Sequence, residues 1–180
     1  GIALPKDAFD AEQFAAIEER ADVVNVDVSG DLPVSVAVVP TQFTGDLAKS
    51  GAYELSISEE GIAIEAFDKT GAFYAVQSIF GLIDSQNAES LPQLSIQDAP
   101  RFDYRGVMVD VARNFHSKDA ILATLDQMAA YKMNKLHLHL TDDEGWRLEI
   151  PGLPELTDVG SNRCFDLEEQ SCLLPQLGSG

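Results

Sequence analysis

Between Gly106 and Thr141 the chain passes from a compact apolar run, Gly106–Val111, through Ile121, Leu125, Met128 and Ala129 at helical spacing, to a second apolar run, Lys135–Thr141. Ser117 stands where the cap of the intervening helix belongs. A strand, a helix and a strand in this order form a crossover, which is right-handed and makes the two strands parallel. Each run ends in a charged cluster: Asp110-Val111-Ala112-Arg113-Asn114 after the first and Thr141-Asp142-Asp143-Glu144-Gly145-Trp146 after the second. Functional groups gathered at the carboxyl ends of parallel strands are how a (β/α)8 barrel builds an active-site rim. Only one such unit is read in this chain, whereas a closed barrel takes about 250 residues. Residues 99–180 are therefore expected to be the incomplete amino-terminal part of a barrel.

The preceding residues read differently. Residues 10–20 are expected to be helical, with Asp10 as cap, Gln13 completing a capping box, and Phe14 and Ile17 on one face. Three segments of period two follow, marked by Val24, Val26 and Val28, by Val34, Val36 and Val38, and by Tyr53, Leu55 and Ile57, as half-buried strands require. Ser58-Glu59-Glu60-Gly61 then turns the chain into Ile62 and Ile64 as a hairpin. Past Asp68-Lys69-Thr70-Gly71 the period becomes helical, with Thr70 as cap and Phe73, Val76, Phe80 and Ile83 on one face. Phe73 and Phe80 are thus expected in the core. Leu94 and Ile96 mark a last strand before Asp98-Ala99-Pro100, where the proline restricts its neighbour and marks a boundary. Residues 1–98 are expected to form an α+β domain, an antiparallel sheet with helices on one face.

With 12 Lys and Arg against 30 Asp and Glu, the net charge is -18, which repels phosphate backbones and anionic bilayers. Nucleic acid is excluded as a partner. A neutral ligand fits this charge, as does mere solubility in a salty medium. No apolar run of about eighteen residues occurs, so no membrane-spanning helix is expected. The chain begins Gly1-Ile2-Ala3, without Met, and reads as a piece of a longer protein. Cys164 and Cys172 lie in a polar segment without the further ligands of a tetrahedral zinc site, so neither a metal nor another cofactor is expected. They are either a local disulfide, which implies an oxidising compartment, or two unpaired thiols.

Several side chains in the second segment can carry chemistry. His137, His139 and Thr141 alternate with Leu136, Leu138 and Leu140, so the polar set shares one strand face. Imidazoles there serve either as structural groups satisfied by polar neighbours or as catalytic groups. Arg113 lies just past one strand end and Asp142 just past the other. Parallel neighbours run about 4.8 Å apart, so the two can meet at the rim. Such a pair is a carboxylate-held fork for sugar hydroxyls, or a plain salt bridge; spacing alone leaves both open. Asp143 and Glu144 are adjacent, and on an extended chain they point opposite ways, a poor arrangement for flanking one scissile bond. Trp146 is either a sugar platform or packing.

These residues carry a family resemblance. The blocks Arg105-Gly106-Val107-Met108-Val109-Asp110-Val111-Ala112-Arg113-Asn114-Phe115-His116, Asp126-Gln127-Met128-Ala129-Ala130-Tyr131-Lys132-Met133-Asn134-Lys135 and Thr141-Asp142-Asp143-Glu144-Gly145-Trp146-Arg147 closely resemble the glycoside hydrolase family 20 β-N-acetylhexosaminidases. Pro151-Gly152-Leu153-Pro154-Glu155-Leu156 and the segment from Arg163-Cys164 to Cys172-Leu173-Leu174-Pro175 are similar to its bacterial chitobiase branch, and residues 1–98 look more weakly like the domain that precedes the barrel. The resemblance implies a retaining enzyme that removes terminal N-acetylglucosamine or N-acetylgalactosamine from β-linked oligosaccharides such as chitobiose and chitooligosaccharides. In that family the substrate's own acetamido oxygen attacks the anomeric carbon, an exception to the two-carboxylate scheme.

By the same resemblance, Arg113 matches the arginine that holds the hydroxyls of the terminal sugar, and Asp142 matches the aspartate beside it. His137, His139, Asp143 and Trp146 are candidates for a supporting shell. The family's catalytic Asp-Glu pair lies on a later strand, so no catalytic residue is expected within these residues and the piece alone is expected to be inactive. The resemblance also implies that Cys164 and Cys172 pair, and places the parent enzyme in the periplasm, at the outer membrane or outside the cell. Two other classes stand beside this one: a non-catalytic carbohydrate-binding or docking module, and another barrel glycosidase family. Oligomeric state is not legible.

Overall fold

The structure is a computed structural model in which residues 1–86, 91–143, 145–170, 172 and 174 are described. The chain divides into two compact units, Gly1–Asp103 with Ala129–Lys132, and Tyr104–Met128 with Met133–Gly180.

In the first unit β1 (Ile2–Ala3) leads through a short turn to α1 (Ala11–Val23). The Asp10 N–H donates to Gln13 Oε1 at 3.1 Å, the capping box expected at this helix start, and Phe14, Ile17 and Ala21 form its buried stripe. Then come β2 (Leu32–Val38), β3 (Tyr53–Ser58), β4 (Gly61–Ala66), α2 (Lys69–Gln86) and β5 (Leu94–Asp98). The sheet order is β1-β2-β4-β3-β5. Tyr53, Leu55 and Ile57 of β3 and Ile62, Ile64 and Ala66 of β4 are buried, while the intervening residues are not, so one face carries the core and α2 covers it with Val76, Ile79 and Phe80 fully buried. Phe73 and Phe80 are core residues, as the periodicity implied. The one polar group Tyr53 takes inward is satisfied: its hydroxyl meets Ser78 Oγ at 2.6 Å and donates to Asp98 Oδ2 at 3.1 Å.

Three sequence expectations are corrected here. The sheet is mixed, not antiparallel: β1 with β2 and β2 with β4 run parallel, and only the pairs of β3 with β4 and with β5 are antiparallel. Period two fixes which face a residue occupies but not the direction of its neighbour, and β2 pairs past β3 with β4. Second, Val24, Val26 and Val28 form no strand. α1 runs to Val23, Asn25 takes a left-handed φ of 55°, and the following carbonyls of Asp27 and Val28 accept the N–H groups of Ile2 and Leu4. Third, α2 is capped by Asp68 and not by Thr70: Asp68 Oδ1 accepts the Gly71 N–H at 2.8 Å and the Gly51 N–H at 3.1 Å. Gly71 is required there, since a Cβ would lie 2.2 Å from the Ala52 carbonyl oxygen.

The second unit holds β6 (Gly106–Asp110), α3 (Lys118–Ala130) as far as Met128, β7 (Lys135–His139), β8 (Thr141–Asp142), β9 (Gly145–Trp146) and the short α4 (Glu155–Asp158). Ser117 Oγ accepts the Ala120 N–H at 3.3 Å, so the expected cap of α3 is in place. β6 and β7 pair in parallel with Gly106 opposite Lys135 and Asp110 opposite His139. The expected strand through Thr141 breaks after His139. Leu140 gives its carbonyl to the Arg147 N–H at 2.9 Å instead of to a ladder partner, and Thr141 pairs with Trp146, and Asp142 with Gly145, in a separate antiparallel ladder. Cys164 and Cys172 form a disulfide with Cα atoms 5.7 Å apart. Among the described residues no helix is long and apolar enough to cross a membrane.

Candidate functional site

The site is assembled where β6 and β7 end. Asp110 and His139 are the last residues of the two strands and are partners in register. Beyond Asp110 the chain folds back sharply, because Asp110 Oδ1 accepts the backbone N–H groups of Ala112 at 3.0 Å and Arg113 at 3.1 Å. A short carboxylate side chain that binds the backbone two and three residues on is a turn-forming device. The turn returns the Arg113 side chain over the strand ends, where Nη1 donates to Asp110 Oδ2 at 2.9 Å and Nη2 reaches Asp142 Oδ2 at 2.6 Å.

His139 Nε2 lies 2.9 Å from Asp142 Oδ2 and 3.2 Å from Arg113 Nη1. One ring nitrogen cannot both donate and accept. An ionised carboxylate only accepts, so the consistent tautomer carries its proton on Nε2 and donates it to Asp142. The Arg113 contact is then packing, not a hydrogen bond. The second Asp142 oxygen accepts the Asp143 N–H at 2.9 Å.

The hydrogen bond from the Asp143 backbone N–H, together with that from His139 and the nearby Arg113 charge, holds the Asp142 carboxyl down to about 2. Desolvation opposes ionisation of Asp110, but the Arg113 N–H, the Arg113 guanidinium and the Ala112 N–H outweigh it and keep its carboxyl below the ordinary value. Both acids are therefore anions at neutral pH, and both face one guanidinium. The Arg113 side chain nevertheless keeps 45% of its surface exposed, against 20% for Asp142. A planar, permanently charged fork held by two carboxylates and still partly exposed has the chemistry to donate to neutral oxygen acceptors such as hydroxyls.

The turn is itself anchored from behind. Arg147 donates through Nε to the Val111 carbonyl at 2.9 Å, through Nη2 to that of Ala112 at 3.3 Å, and through Nη1 to that of Ser161. Gly145 approaches the same turn so closely that a Cβ would lie 2.6 Å from the Ala112 carbonyl oxygen.

Of the residues singled out in the sequence, Arg113, Asp142 and His139 are brought together, and Asp143 joins them through its main chain. His137 is exposed on β7, opposite Met108, outside this group. Trp146 donates its Nε1–H to the Leu148 carbonyl at 2.6 Å and lines a different hollow with Phe115, Arg147 and Arg163. Glu144 lies outside the described residues. Sequence reasoning missed Asp110 and Arg147 as supports. An Asp at a strand end three residues before an Arg was a usable signal for the first; the partners of the second are backbone carbonyls, which leave no mark in sequence.

At the carboxyl ends of a parallel strand pair the chain thus presents an arginine held by two carboxylates. Two family models account for most of the chain: "Glycosyl hydrolase family 20, domain 2" matches residues 2–99 and "Glycosyl hydrolase family 20, catalytic domain" matches residues 102–176. The chain belongs to glycosyl hydrolase family 20.

Among curated relatives, N,N'-diacetylchitobiase of Vibrio harveyi is 85% identical over 180 residues, covering 100% of this chain and 20% of the relative. A β-hexosaminidase of Vibrio vulnificus is 51% identical over 180 residues, covering 100% of this chain and 21% of that protein. The crystal structure of an exo β-N-acetylglucosaminidase from Vibrio harveyi in complex with N-acetylglucosamine matches with a TM-score of 0.75 and 35% identity, over 98% of this chain and 27% of that one. The chain thus spans about a fifth of the length of the curated relatives it matches.

Proposed function

We propose that the chain contributes the leading α+β domain and the first β-α-β part of a (β/α)8 barrel to a retaining β-N-acetylhexosaminidase of chitobiase type, with the domain division at residues 98 and 99. The observation that carries this reading is the Arg113–Asp142 pair just past the ends of adjacent parallel strands, 2.6 Å apart, with the arginine side chain 45% exposed. In it Arg113 holds hydroxyls of the terminal N-acetylhexosamine and Asp142 fixes the orientation of the guanidinium. Asp143 and His139 keep Asp142 ionised and aimed; His137 and Trp146 are given no contact with the sugar. The names of the relatives support the substrate class, β-linked N-acetylglucosamine or N-acetylgalactosamine ends such as those of chitobiose and chitooligosaccharides. No cofactor enters the reading.

The acetamido-orienting aspartate and the general acid belong to the barrel beyond these residues, so the 180-residue chain turns over no substrate by itself. The experiment compares hydrolysis of an aryl N-acetyl-β-glucosaminide by the 180-residue chain and by the protein at the full length of its relatives. Turnover by the longer protein alone is expected. Turnover by the 180 residues, or none by the longer protein, would defeat the proposal. The Cys164–Cys172 bridge supports an oxidising location, in the periplasm, at the outer membrane or outside the cell; a longer protein recovered wholly from the cytosolic fraction would count against that.

A further inference from the structure

Asp110 makes three contacts within the turn it closes, two of them to one residue. Oδ1 accepts the Arg113 backbone N–H as well as that of Ala112, and Oδ2 accepts Arg113 Nη1. The same carboxylate therefore sets both where the Arg113 backbone lies and where its guanidinium points. Asp142, which comes from the following strand end, supplies the second anchor. The two acids differ in kind. Asp142 takes no part in that turn, whereas Asp110 both holds the fork and builds the turn that carries it.

An exposed arginine held by a single ion pair keeps most of its rotamer freedom, because such pairs are weak in water. Two anchors from two strands, one of them also fixing the backbone, leave the fork a single orientation. A ligand then finds its donors already placed, and ordering is not charged against binding.

We propose that Asp110 is a positioning residue for ligand recognition: it touches no sugar, and it presents Arg113 in the one orientation that receives the terminal hydroxyls. This rests on the reading of Arg113 as the sugar-holding arginine. Because those hydroxyls do not react, the fork stabilises ground state and transition state alike. Loss of Asp110 therefore falls on KM and on affinity for the free sugar more than on kcat.

Asn at this position separates the two jobs. Its amide oxygen still accepts the two backbone N–H groups, while its NH2 faces Nη1, donor against donor. The test is made in the protein at the full length of its relatives, with Asp110→Asn, Arg113→Ala and the double variant. Readouts are KM and kcat on an aryl N-acetyl-β-glucosaminide, Kd for N-acetylglucosamine by calorimetry, and the thermal midpoint. Asp110→Asn is expected to raise KM and Kd about tenfold, the loss of one charge-assisted hydrogen bond, with kcat changed far less and the midpoint unmoved. In the Arg113→Ala background it should add nothing.

Wild-type KM and Kd in Asp110→Asn, while Arg113→Ala weakens both, would overturn the proposal. So would an equal further loss in the double variant, which would mean that Asp110 acts elsewhere than through Arg113. Should Asp110→Asn lower kcat and midpoint together at unchanged Kd, its role is only structural and the proposal also falls. If Arg113→Ala itself leaves Kd and KM unchanged, the sugar-holding reading fails and takes this inference with it, an outcome distinct from the silent Asp110→Asn.

Discussion

Arg113 is open over 45% of its side chain, and exposed ion pairs typically contribute only about 0–1 kcal/mol to folding. Stability therefore gives little reason for two carboxylates and a histidine to converge on it. Preorganisation for a ligand gives one. The protonation of Asp142 reports on this arrangement directly. Its carboxyl is held at about 2, below the ordinary 3.8. A depressed carboxylate pKa contributes stability that is fully present above the ordinary value and is lost as pH falls through the lowered one. The cluster should thus be intact throughout neutral and mildly acidic solution and dissolve only as pH falls from about 3.8 toward 2. A carbon-detected titration of the Asp142 carboxyl should show a midpoint near 2, and Arg113→Ala should move it upward. A midpoint near 3.8 in the unaltered protein would mean that the hydrogen bonds from Asp143 and His139 do not persist in solution. The meeting of Arg113 and Asp142 was legible from their places just past two parallel strand ends. The His139 contact was legible only as a polar strand face, since its choice of partner depends on the break at Leu140.

At the scale of elements, periodicity served where an element buries one face. α1, α2 and the β3–β4 hairpin carry their core residues at the expected spacing, whereas of the expected α3 stripe Met128 is buried and Leu125 is exposed. It failed where pairing is settled by distant chain. β1 has only two residues, too short to show a period, and is defined by its parallel pairing with β2. The parallel pairing of β2 with β4 is invisible locally because β3 intervenes in sequence. The alternation from Leu136 to Thr141 continues through a change of ladder, so nothing in it announces the break.

The cap of α2 shows how close the alternatives were, since Asp68 and Thr70 are two residues apart. Replacing Asp68 by Ala should lower stability by about 1–2 kcal/mol, the usual cost of a lost N-cap, with an addition for the Gly51 N–H it also serves. Thr70→Ala should be close to neutral. Urea unfolding of both variants checks this, and the reverse order would restore Thr70 as the cap.

For the whole molecule, the chain joins two kinds of segment. One completes a mixed sheet with a buried face and its own helices; the other presents β6 and β7 with large apolar residues such as Met108, Leu125 and Phe165 exposed. The proposed remainder of the barrel gives that second segment its neighbours, and gives the Arg113 rim its reacting groups. The central claim, that this rim holds the terminal sugar of an N-acetylhexosaminide, is tested most directly by kcat/KM of the protein at the full length of its relatives, unaltered and with Arg113→Ala, Asp142→Asn and both. Arg113→Ala should lower kcat/KM by about 100-fold, since charge-assisted hydrogen bonds are lost and Asp142 is left without its partner. Asp142→Asn should also be damaging, and the double variant should lose less than the sum of the two single losses, because both act through one contact. Near-unaltered activity of Arg113→Ala, or strict additivity in the cycle, would contradict the claim and reduce the pair to a surface salt bridge.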